Sequence, residues 1–198
     1  MGKIVLITGT PGVGKTTVAK MLAEKLGFTY INAGELARRE GLVIGRDELR
    51  KADVVDVKGL REALSRVTEE HDIVLDTHLV EVSPPEKTLV AIVLRLDPEE
   101  LLERLLKRGY PHIKVRENVE SEIIDACLWS AVKHLGREKV FEIDVTGKTP
   151  KAVVEEALRI VREGKGNPPG SINWAEKMGP RLKALLEKMS KLTPQGRR

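Results

Sequence analysis

Eight residues near the start of the chain, Gly9-Thr10-Pro11-Gly12-Val13-Gly14-Lys15-Thr16, fit the pattern G-x-x-x-x-G-K-[ST]. The pattern constrains the fold through its flanks. It cradles phosphate only when a buried strand delivers the glycine turn and a helix leaves it, so that backbone N–H groups and the positive helix end converge on one point. Both flanks are present. Ile4-Val5-Leu6-Ile7 reads as a buried strand, and Thr16 through Leu26 reads as a helix. In such a loop Lys15 reaches β- and γ-phosphates and the Thr16 hydroxyl is placed for Mg²⁺. The chain is therefore expected to bind a nucleoside triphosphate, with Mg²⁺ as cofactor.

Four more β-rich apolar runs follow: Thr29–Asn32, Ile73–Asp76, Leu89–Leu94 and Val140–Ile143, after a first at Lys3–Thr8. Helical patterns separate them at Thr16–Leu26, Gly34–Glu40, Gly59–Glu69, Pro98–Lys107, Val119–Leu135 and Pro150–Glu163. Near-continuous apolar strands alternating with helices predict a parallel sheet covered on both faces. The expected fold is an α/β three-layer sandwich with a five-stranded parallel sheet. Asp97-Pro98-Glu99-Glu100 and Thr149-Pro150 carry helix-start chemistry, a capping oxygen followed by proline at the first position.

Beyond the loop, Asp76-Thr77-His78 follows the apolar Ile73-Val74-Leu75. An acid at the C-terminal end of a neighbouring strand is placed to hold Mg²⁺, directly or through water. His78 then faces the γ-phosphate region, where it orients water or an acceptor hydroxyl; a purely structural histidine fits the same spacing. Asn32-Ala33-Gly34-Glu35-Leu36-Ala37-Arg38-Arg39 opens a helix after the second strand, with small residues that let a ligand approach. Arg38 or Arg39 there fits a bidentate phosphate clamp, and equally an exposed helix face. Pro111–Val115 reads as a short loop between helices, which would fold over ATP as a lid with Arg104, Arg108, Lys114 and Arg116 as its cations. Basic residues at a helix C-terminus have a dipole explanation as well.

The 198 residues suit one α/β domain with an appendage. The lone cysteine, Cys127, allows no internal disulfide and suits a reducing cytoplasm. No run approaches the ~18 apolar residues of a membrane span, and the first strand begins too early for a cleaved leader. These features predict a cytoplasmic chain with no membrane partner. Abundant Lys, Arg and Glu with a single Gln fit a thermophile. Gly164–Gly170 is a breaker cluster that reads as a linker. From Lys165 onward there are eight Lys/Arg against two Asp/Glu, so the tail holds the entire basic excess of a chain whose net charge is +4. Within it Leu182, Leu185, Leu186, Met189 and Leu192 form one helical face over Pro180–Leu192. That stripe packs on its own domain or docks a partner, and the basic excess suits RNA or a solvated helix.

Taken with the motifs, the chain resembles the family of adenylate kinase isoenzyme six, also called the coilin-interacting nuclear ATPase. The matching residues are Gly9 through Thr17, Tyr30 through Arg38, Asp76-Thr77-His78, Glu103-Arg104-Leu105 and Arg108-Gly109-Tyr110, extended by Lys114, Asn118 and Glu122. The resemblance spans about residues 1–161. It implies a P-loop domain over 1–164, with a monophosphate region at about 33–56 and a lid at about 107–118. Residues 165–198, a linker and basic helical tail, have no counterpart in the eukaryotic pattern. It further implies ATP binding by Gly12, Gly14, Lys15, Thr16, Thr17 and Arg108. Gly34 and Arg38 would face the monophosphate, Thr16 and Asp76 the Mg²⁺, and Lys15, Asp76, His78 and Arg108 the chemistry. The implied activity is broad nucleoside monophosphate kinase action with ATP hydrolysis. The implied setting is late maturation of the small ribosomal subunit near the 3′ end of its 16S RNA, beside the platform ribosomal protein. A purely metabolic adenylate kinase, or a small-metabolite kinase of the shikimate or gluconate type, is the alternative. Here Gly45–Asp53 is more basic than the acidic stretch of the eukaryotic relatives.

Overall fold

The computed structural model describes residues 2–192. Five parallel strands form the central sheet in the order β2-β5-β1-β6-β7, namely β2 (Thr29–Asn32), β5 (Ile73–Asp76), β1 (Ile4–Thr8), β6 (Thr88–Arg95) and β7 (Val140–Asp144). The strand segments expected from the apolar runs are all present, each within a residue or two. β1 lies at the centre, buried throughout, and its side chains alternate between two cores as strand geometry demands. Val5 and Ile7 face one core with α1 (Lys15–Leu26), α4 (Pro98–Lys107), α5 (His112–Ile123) and α7 (Pro150–Glu163). Ile4 and Leu6 face the other with α2 (Ala33–Arg39), α3 (Val57–Glu70) and α6 (Ala126–Leu135). The result is the three-layer α/β sandwich expected from the sequence.

Three local features depart from the sequence reading. An antiparallel hairpin, β3 (Val43–Asp47) with β4 (Ala52–Val55), fills the stretch between α2 and α3. Its strands are largely exposed, with Ile44, Leu49 and Val54 among the outward apolar residues, so no alternation marks it. The helix expected over Val119–Leu135 is two helices, α5 and α6, broken where Asp125 adopts a left-handed φ of 59°. The loop expected over Pro111–Val115 is shorter, because α5 already starts at His112; Gly109, at φ 70°, and Pro111 make the turn. The fixed φ of proline suits a helix entry.

Residues 164–170 run along the sheet edge rather than away from it. Asn167 pairs with Glu142 of β7, and Arg137 donates to the Pro169 carbonyl at 2.7 Å. Two further helices, α8 (Trp174–Met178) and α9 (Pro180–Ser190), then pack on the same core. Met178, Leu185 and Met189 are buried there, each contributing roughly 1.5–3 kcal/mol. Arg181 adds ion pairs to Asp97 and Glu99 at the start of α4. Residues 193–198, which carry Arg197 and Arg198 of the basic tail, lie outside the described residues.

Candidate active site

The loop between β1 and α1 has the glycine geometry its motif calls for. Gly9 has φ 131°, and a Cβ on it would lie 2.4 Å from the Leu94 carbonyl oxygen, so no side chain fits. Gly14, at φ 110°, is the N-cap of α1 and frees that helix end to face a ligand. Gly12 packs against Leu101 and Leu105 of α4. Lys15 folds back onto the loop, its ammonium donating to the carbonyls of Gly9 at 2.8 Å and Thr10 at 3.1 Å. Burial holds that ammonium below the ordinary lysine range, against the opposing pull of Asp76.

Asp76, at the end of β5, is buried and sits directly beneath the loop. Its Oδ2 accepts from Thr16 Oγ1 at 2.7 Å, from Asn32 Nδ2 at 3.0 Å and from the Tyr30 hydroxyl at 3.2 Å. Strand order explains the meeting, since β5 is flanked by β1 and β2. Burial and then Asp76 push the Tyr30 phenol up to about 12, so it remains a donor. The Thr16 hydroxyl and the Asp76 carboxylate are a hard oxygen pair, and Mg²⁺ needs only one or two protein oxygens when phosphates complete its shell. The residues fit the ion. Thr17 follows on α1 and is exposed at the loop rim.

His78 lies two residues beyond Asp76. Crowding by surrounding atoms, then the cations of Lys15 and Lys114, push its imidazole down to about 4, although the residue as a whole is exposed. The neutral form is therefore favoured in the fold. Its contribution to stability is complete above about pH 6.5, the unfolded value, and fades as pH falls through the window down to about pH 4. We expect the His78 ring to stay unprotonated to about pH 4 in the free protein. An NMR titration of the imidazole carbons reads the ring's state; a free-protein transition near 6.5 would contradict the electrostatics.

Other sequence-singled residues are placed less centrally. Gly34 lies in the first turn of α2, which Asn32 caps through Glu35 N at 3.0 Å. Since Asn32 also touches Asp76, that helix start borders the acid. Arg38 is exposed and pairs with Asp53 of the hairpin at 3.0 Å, while Arg39 pairs with Glu40. Arg104 makes an ion pair with Glu100 within α4. Arg108 is exposed at the C-cap of α4, seven residues after Leu101 and hence on the helix face that supports Gly12. Lys114 stacks over Tyr110 at 5.1 Å, and Arg116 pairs with Glu120 within α5. Arg50 of the hairpin turn bridges to Glu117 of α5, with bonds of 2.5 and 2.8 Å.

A buried network behind the loop was not legible as such. Arg95 closes β6 at 1% exposure and pairs with Glu122 at 2.8 Å, Glu142 at 2.6 Å and Asp125. Its signal was an arginine ending a strand otherwise apolar from Leu89 to Leu94; a buried charge demands partners. Glu122 in turn accepts from Thr10 Oγ1 at 2.5 Å.

The architecture and the loop define a kinase-like P-loop enzyme. An AAA-domain family profile matches residues 5–125. A protein of Thermococcus kodakarensis named "Putative adenylate kinase" is 43% identical over 174 residues, covering 87% of this chain and 93% of that protein. A protein of Pyrococcus abyssi with the same name is 39% identical, covering 87% and 92%. The crystal structure of a gluconokinase from Sinorhizobium meliloti superposes with a TM-score of 0.54 at 19% identity, over 81% of this chain and 91% of that one, a likeness of fold. The chain belongs to the AAA-domain family and is a homologue of these archaeal proteins. Among the described residues no helix is long and apolar enough to cross a membrane.

Proposed function

We propose that the chain is a broad-specificity nucleoside monophosphate kinase that converts ATP and AMP to two ADP and also hydrolyses ATP. The observation that carries the reading is the Thr16–Asp76 contact of 2.7 Å directly under a glycine loop whose lysine is held on its own carbonyls. That contact pairs a hydroxyl with a carboxylate where a triphosphate would end. On this reading Lys15 leaves Gly9 and Thr10 for the β- and γ-phosphates. An acceptor phosphate oxygen forms a bond to the γ-phosphorus as the bond to the β-bridging oxygen breaks, and the electron pair leaves with ADP. Thr16 and Asp76 would hold Mg²⁺, which would supply charge neutralisation for the transferred phosphoryl group. Neutral His78 offers a hydrogen bond to the attacking oxygen or to a water. Arg38 and Gly34 face the acceptor once Asp53 gives up the guanidinium, and Arg108 swings over the loop from α4. A short turn at Gly109–Pro111 leaves water poorly excluded, which favours some hydrolysis.

The cellular role we propose is late maturation of the small ribosomal subunit near the 3′ end of 16S RNA, in the cytoplasm, with the platform ribosomal protein as partner. Exposed Lys183 and Lys188 on α9 and adjacent Lys191 are the tail groups available for RNA phosphates. Converting these three to Glu should leave the melting temperature nearly unchanged. It should flatten the salt dependence of RNA binding by about one unit of log–log slope per lysine lost; an unchanged slope would remove RNA as a tail partner. The enzymatic reading is tested by measuring ADP formation and phosphate release with and without AMP, then with the purified platform protein. AMP-dependent ADP formation above hydrolysis supports the kinase, and a response to the platform protein supports the assembly role. Stimulation by gluconate or shikimate in place of AMP would overturn both.

A further inference from the structure

Glu122 is almost completely buried, and its carboxylate accepts from four donors on three separate parts of the chain. They are Thr10 Oγ1 of the phosphate loop at 2.5 Å, Arg95 Nε at 2.8 Å, the Leu96 backbone N–H at 3.2 Å and Trp174 Nε1 of α8 at 2.9 Å. Arg95 Nε, Leu96 N and Trp174 Nε1 share Oε1 while Thr10 alone binds Oε2, so both oxygens are engaged and no neutral side chain of its size replaces all four contacts. Trp174 is itself buried. A second tie joins the same segment to the network, because Glu142 accepts from Ser171 N at 2.9 Å as well as from Arg95. The C-terminal segment is thus connected to the phosphate loop through two hydrogen bonds on one carboxylate. Thr10 is where that connection meets the site, for its carbonyl also accepts Lys15 Nζ at 3.1 Å.

We infer that Glu122 is a positioning residue for the phosphate loop, and that through it the docking of Trp174 is energetically coupled to nucleotide binding. The inference rests on the reading of the loop as the nucleotide site. Lys15 must release Thr10 to engage phosphate, so the loop's set-point depends on how firmly Glu122 holds the Thr10 hydroxyl. That grip in turn depends on the donors that fix the carboxylate, Trp174 among them. Buried networks of this kind respond to removal of a member more strongly than isolated pairs do. Coupling is reciprocal. A bound nucleotide strengthens the seating of α8, and a partner that lifts α8 weakens the nucleotide.

The test measures MgADP affinity by calorimetry in Trp174→Phe, Thr10→Val, their double variant and Thr10→Ser. Trp174→Phe removes the indole donor and keeps the ring's bulk. It should weaken MgADP about fivefold, the scale of one buried hydrogen bond. Thr10→Val should do the same or more, Thr10→Ser should restore near-normal binding, and the double variant should be no weaker than Thr10→Val alone. Trp129→Phe leaves Trp174 as the sole tryptophan of the chain's two, and its emission should shift on MgADP addition; this reading holds even if Trp174→Phe folds poorly. Unchanged affinity in Trp174→Phe, full additivity in the double variant, or a silent Trp174 would overturn the coupling. Failure of the unmodified protein to bind MgADP would instead overturn the nucleotide reading, and the coupling with it.

Discussion

Lys15→Met should lower the rate of phosphoryl transfer by about 10³-fold while the fold survives. The size follows from removing a preorganised cation from a site where charge develops, which costs on that scale in dry active sites. Survival follows from the contacts Lys15 makes. Its ammonium donates to two loop carbonyls, Gly9 and Thr10, neutral acceptors whose loss of a donor costs less than an unpaired buried charge would. Its aliphatic stem is replaced nearly atom for atom by methionine. Steady-state kinetics with a parallel thermal melt separate the two effects. A melting temperature that falls in step with activity would show that Lys15 is a structural strut.

Arg95→Met should act the other way round, with a large loss of stability that reaches the site only through the network. The guanidinium is the common cation of Glu122, Asp125 and Glu142, and two of these carboxylates are almost completely buried. Removing one partner of a buried ion pair costs about 3–5 kcal/mol, because charge is left without a counterion in low dielectric. For a chain of this size that lowers the melting temperature by roughly 6–20 °C. Differential scanning calorimetry reads the change directly. A shift within a degree or two would mean that the three carboxylates find other partners, and the network would lose its role as the frame behind the phosphate loop.

The two cases also mark what the sequence made legible. The loop declared itself because its glycines and Lys15 obey one local geometry, and the strands declared themselves because a sheet buried on both faces needs unbroken apolar runs such as Leu89–Leu94. Asp76 was readable for the same reason, as the acid that ends such a run. The hairpin at Val43–Val55 was hidden because its strands are exposed and lack an alternating pattern. The break at Asp125 was hidden because the partner of that left-handed residue, Arg95, lies 30 residues away, beyond the reach of any helical period. Arg38 could be named from its place one turn into a helix, but its partner Asp53 belongs to the hairpin, so its present ion pair could not. Trp174 gave no signal at all, since its donor finds Glu122 only after the tail folds back along β7.

The proposed reaction passes the γ-phosphoryl group of ATP to a nucleoside monophosphate. Single-turnover reaction of γ-³²P-labelled ATP with excess enzyme, with and without AMP, addresses it most directly. The expected result is that AMP diverts most of the label into the β-position of newly formed ADP, and that Lys15→Met slows the transfer by about 10³-fold. Label appearing as inorganic phosphate at the same rate and yield whether or not AMP is present would contradict the claim.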